Sequence, residues 1–97
     1  MKTKEEILNL LSDYKTIAKS QYGLTSIGIF GSVARGQQTD DSDVDVCYES
    51  QPLSLLTIDL IQSDLERLFG CPVDMVKIRE NMNSLLKQRI QKEACYV

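Results

Sequence analysis

Apolar residues along the 97-residue chain fall into helical and strand periods in turn. Ile7, Leu10, Leu11, Tyr14, Ile17 and Ala18 recur at spacings of three and four, the stripe of one helix face. Thr3 and Glu6 predict a capping box at its start, and Gly23 predicts its end. The apolar run Ser26 to Phe30 predicts a strand, broken abruptly by Gly31-Ser32. Val33 to Gly36 predicts a short helix, and Gln37 to Asp41 a polar loop. Ser42-Asp43-Val44-Asp45-Val46 then alternates polar and apolar, as a half-buried second strand does. Gln51-Pro52 breaks that strand. Leu55, Ile58, Ile61, Leu65 and Leu68 predict a helix from about Ser54 to Phe69, closed by Gly70, and Pro72 opens a third strand over Val73 to Ile78. Asn81 predicts the cap of a last helix with Met82, Leu85, Leu86 and Ile90 inward. Cys95-Tyr96-Val97 fits either a short edge strand or a docked tail. A strand, a helical crossover and a further strand place the third strand beside the others. The expectation is an α/β fold: a small mixed sheet of three to four strands, helices packed on one face, the other face open.

Composition narrows the classes. Hydrophobic residues at 42% and charged residues at 26% are globular proportions, and the length suits one small domain over residues 1–97. No apolar run approaches a membrane span, and MKTKEEIL lacks a signal-peptide core, so a cytoplasmic protein is expected. Cys47, Cys71 and Cys95 are odd in number and widely spaced, which fits packed, reduced thiols rather than disulfides or a zinc site. A chain without histidine cannot use imidazole acid–base catalysis or histidine-ligated metals. A net charge of −3 argues against direct nucleic-acid binding, which usually needs a basic face.

The chemistry concentrates between Gly31 and Asp45. Side chains alternate along a strand, so Asp43 and Asp45 share a face, with Cα atoms about 6.6 Å apart. Two carboxylates that close repel unless a cation lies between them. Hard oxygen ligands near a phosphate seat suit Mg²⁺. Gly31 lets backbone approach a ligand, Ser32 adds a hydroxyl, and the amides that open the next helix favour an anion. Gly31 to Gly36 has the glycine spacing of a P-loop, but Gln37 stands where lysine is required.

Gly31-Ser32-Val33-Ala34-Arg35-Gly36, five residues, then Ser42-Asp43-Val44-Asp45-Val46 resembles the signature of the nucleotidyltransferases related to DNA polymerase β. The short chain is similar to the minimal nucleotidyltransferase (MNT) branch of that superfamily, over nearly its whole length. The resemblance implies a palm-like sheet and transfer of a nucleoside monophosphate from ATP to a hydroxyl, with two Mg²⁺ ions. Asp43 and Asp45 would ligate metal. Asp74, a third acidic residue on a later strand, would complete the set and help deprotonate the acceptor. Asp74 has a simpler reading as an edge-strand residue facing water. Gly31 and Ser32 would hold the β- and γ-phosphates. Arg35 either contacts phosphate or braces the loop through a carboxylate. Ser42 either fixes the approach of Asp43 or simply enters the strand. Asp40 and Asp41 fit a solvated turn. Lys77 and Arg79 fit a solvated strand end, Lys87, Arg89 and Lys92 a solvated helix face, and Cys47 packing.

Such a small domain has little surface to enclose both a base and an acceptor. MNT proteins commonly pair with HEPN-domain toxins, which implies AMP transfer to a toxin tyrosine and an antitoxin role. Two alternatives stay open: a module that neutralises its partner by binding alone, and a small-molecule (antibiotic) nucleotidyltransferase.

Overall fold

The computed structural model describes residues 1–97. Its elements run α1 (Lys4–Tyr22), β1 (Leu24–Phe30), α2 (Gly31–Ala34), β2 (Val44–Ser50), α3 (Leu55–Phe69), β3 (Val73–Lys77), α4 (Ser84–Glu93) and β4 (Cys95–Tyr96). The start of α1 is the predicted capping box: the Thr3 hydroxyl accepts the Glu6 N–H at 3.1 Å, and the Glu6 carboxylate accepts the Thr3 N–H at 3.0 Å. Gly23, at φ +71°, ends the helix with its N–H on the Ala18 carbonyl. Ser54 caps α3 through the Thr57 N–H. The cap of α4 is Asn83, two residues after the expected Asn81, and accepts the Leu86 N–H. Leu85, expected inward, is 70% exposed.

The strands form one mixed sheet in the order β3-β2-β1-β4. β1 is antiparallel to both β2 and β4, while β2 and β3 are parallel through the α3 crossover. The chain end is an edge strand: Cys95 and Tyr96 pair with Ile29 and Gly28, and the Val97 N–H reaches the Ile27 carbonyl at 3.1 Å.

Alternation splits the sheet residues between two clusters. Ile27, Ile29, Val44, Val46, Tyr48 and Val73 face Ile7, Leu11, Tyr14 and Ala18 of α1 and Ile61, Leu65 and Phe69 of α3. Full burial of each such aliphatic or Phe side chain stabilises by about 1.5–3 kcal/mol. The two long helices thus lie on one face, as expected. The other face is not fully open. Phe30 and Cys47 of the sheet bury against Ile90 of α4, with Val76, Met82 and Leu86 alongside. Helical spacing cannot tell which face of a sheet a helix joins, and the last helix joins the one opposite α1 and α3. The three cysteines are free thiols, and burial pushes that of Cys47 above its ordinary range. No helix is long and apolar enough to cross a membrane.

Candidate active site

The register of the second face sets the site. Asp45 lies opposite Phe30 on β1 and opposite Asp74 on β3. Cross-strand partners project to the same side of a sheet, so Phe30, Asp45 and Asp74 form a row. Asp43 is one residue before β2 and exposed, Asp45 half-buried, and Asp74 exposed on the edge strand. Asp45 carries the electrostatic load. Burial first, then the Asp74 charge and also that of Asp43, raise its carboxyl above the usual range, while Arg89 and Arg35 pull it back.

Gly31 couples the turn to this row. Its φ is +76°, and a Cβ there would lie 2.1 Å from Asp45 Oδ2. The sequence pointed to room for a ligand, but the space beside Gly31 is filled by the chain's own carboxylate. Any larger residue meets both backbone strain and Asp45. Ser32 follows, half-buried at the start of α2, and its carbonyl accepts the Gln37 N–H at 2.8 Å. Arg35 is exposed and bonded at 3.0 Å to Gln37 and at 2.9 Å to Glu93. Ser42 holds the loop, its hydroxyl accepting the Thr39 N–H at 2.8 Å. Asp40 pairs with the N-terminal ammonium, and Asp41 is exposed in its turn.

Sequence reasoning missed two residues here. Arg89, read as part of a solvated face, stands over the Phe30 ring at 5.9 Å and reaches Asp45 electrostatically. Glu93 accepts the Gly31 N–H at 3.1 Å. The basic run of α4 was visible, but not the sheet face that receives it.

A half-buried carboxylate whose ionisation is disfavoured, with the charges of Asp43 and Asp74 acting on it, fits a divalent cation such as Mg²⁺. As the side chains stand, no three of Asp, Glu, Cys or His are close enough to hold an ion by themselves. The fit is thus to an ion that brings ligands of its own, as Mg²⁺ does with phosphate oxygens and water.

A family profile described as "Nucleotidyltransferase domain" matches residues 11–97. The chain belongs to that family. It is 37% identical over 101 residues to "Putative protein adenylyltransferase MJ1379" of Methanocaldococcus jannaschii, covering all of both chains. It is 35% identical to "Protein adenylyltransferase MntA" of Thermococcus cleftensis, covering all of this chain and 98% of that one. The solved structure described as "putative minimal nucleotidyltransferase" superposes with a TM-score of 0.76 at 27% identity, over 97% of this chain and 95% of the other. The chain is therefore an MNT-type nucleotidyltransferase, an enzyme on a four-stranded mixed sheet.

Proposed function

We propose that this nucleotidyltransferase moves AMP from ATP to a tyrosine hydroxyl of a HEPN-domain toxin and so acts as its antitoxin, in the cytoplasm and with Mg²⁺. The observation that carries the reading is the register that sets Asp74 beside Asp45, with the Asp45 carboxylate against Gly31. Full-length similarity to proteins named protein adenylyltransferase supports the reaction class. The choice of partner is supported by likeness of fold to an MNT antitoxin solved with a tri-AMPylated Shewanella oneidensis HEPN toxin, and the choice of nucleotide by likeness to a toxin–antitoxin complex with AMP-PNP.

In this reading Gly31 and Ser32 hold the β- and γ-phosphates, and Ser42 keeps the loop that delivers Asp43. Asp43, Asp45 and Asp74 would hold the metal. Mg²⁺, when bound, offsets phosphate charge and acidifies the acceptor hydroxyl. Asp74, exposed on the edge strand, takes the hydroxyl proton. The hydroxyl oxygen bonds to the α-phosphorus as the bridging bond to the β-phosphate breaks, and pyrophosphate leaves. An acceptor presented by a second protein suits Asp74, whose outer side no further strand covers.

Incubation of the cognate partner with this chain, ATP and Mg²⁺, followed by peptide mass spectrometry, tests the proposal. AMP on a partner tyrosine is the expected outcome, and a folded partner that gains none overturns it. A second reading, neutralisation by binding alone, is favoured by Ile17, Leu55, Leu56 and Leu60, large apolar residues left at least 49% exposed on α1 and α3. Neutralisation that survives loss of Asp43 and Asp45 would select it.

A further inference from the structure

Glu93 ends α4 and has no part in the steps above. Its carboxylate is divided between two donors far back in the chain. Oε2 accepts the Gly31 N–H at 3.1 Å, and Oε1 accepts from Arg35 Nη1 at 2.9 Å. The side chain is only 16% exposed. It is also anchored from behind, because β4 begins two residues later and pairs with β1. A turn amide and a guanidinium are the donors a phosphate group uses, and a carboxylate is the side chain that best imitates phosphate there.

We propose that Glu93 is a built-in competitor for the polyphosphate: it occupies the anion seat made by the Gly31 amide and Arg35, and nucleotide enters by displacing it. The inference rests on the reading of the Gly31 turn as the nucleotide site. It deepens that reading by giving Arg35 two successive partners, Glu93 in the free chain and phosphate in the complex. The displaced carboxylate has somewhere to go. Glu93 borders an open cleft of about 400 Å³ that Gln88, Arg89 and Lys92 also line. A change of rotamer toward Arg89 and Lys92 keeps it paired without unfolding α4.

A simple brace would behave in the opposite way. If Glu93 only held the turn in shape, removing it would loosen the site and weaken binding. The test is calorimetric titration of the wild-type, Glu93→Gln and Glu93→Ala chains with AMP-PNP and Mg²⁺, and separately with inorganic tripolyphosphate. Loss of a competing, partly exposed charge pair is expected to tighten both probes by about two- to tenfold, more for Ala than for Gln. Thermal melting identifies the folded variants, and Glu93→Gln, which keeps the side chain's shape, covers the case in which Ala disrupts α4. Unchanged or weaker binding by a folded variant overturns the proposal and leaves the nucleotide reading standing. No AMP-PNP binding by wild type or variants would bring down the nucleotide reading itself, and this proposal with it.

Discussion

The two faces of β2 are made from one stretch of seven residues and do opposite things. Val44, Val46 and Tyr48 point into the layer under α1 and α3, and all are buried. Asp45 and Cys47 point the other way, where Asp45 meets Asp74, Gly31 and the charge of Arg89. A slip of one residue would exchange the faces, so the apolar side fixes where the carboxylates lie. The core face supplies stability and register. The site face takes that register and spends part of the stability on crowding like charges. Substitutions on the two faces should therefore separate activity from stability cleanly.

The sharpest contrast comes from Asp43→Asn with Asp45→Asn. Transfer of AMP should fall by at least about a thousandfold, on the order of 4 kcal/mol of transition-state stabilisation, with the circular dichroism spectrum unchanged. Undiminished turnover by the folded double variant would refute the assignment of both residues. Leu65→Ala probes the other face. Leu65 is fully buried between α3 and the sheet, so truncation should cost about 2–5 kcal/mol in denaturant unfolding. Activity per folded molecule should stay near wild type. A Leu65→Ala chain that kept its stability but lost transfer would show that the faces are not separable.

What the sequence disclosed follows the same division. The capping box of α1, the alternation of β2 and the α3 crossover are local patterns, and they fix the order of elements and the side of β2 that carries Asp45. Asp74 was a candidate chiefly through the family resemblance, with no local motif behind it, and its pairing with Asp45 needed the register. The role of Gly31 was only half legible. Its need for a missing Cβ was visible, but the group filling that space comes from another strand. Arg89 and Glu93 were not legible, since their contacts with Phe30, Gly31 and Arg35 join positions about sixty residues apart. Leu55 and Leu85 matched helical spacing yet are exposed, because periodicity marks a stripe without marking how far the sheet extends beneath it.

The smallest expected effect is the one that most directly tests whether the site costs stability. The Asp45 carboxyl titrates above its ordinary range in the folded chain, chiefly through burial and the neighbouring Asp74 charge. The folded state therefore binds this proton more readily than the unfolded state. The stability that comes from that preference is complete below the unfolded aspartate range and is lost as pH rises through the raised range. At pH 7, without metal, the ionised carboxylate works against folding. Asp45→Asn keeps the shape and removes the charge, so its melting temperature at pH 7 should exceed that of wild type by a few degrees, on the order of 2–4 °C. The gap should narrow as pH falls through the raised range, where wild-type Asp45 takes up its own proton. Mg²⁺ should then raise the melting point of wild type and leave that of Asp45→Asn nearly unmoved, a readout independent of catalysis. A variant that melts lower than wild type at pH 7, with a gap that ignores pH, would mean that the Asp45 charge holds the fold together, and the division of labour between the two faces would fail.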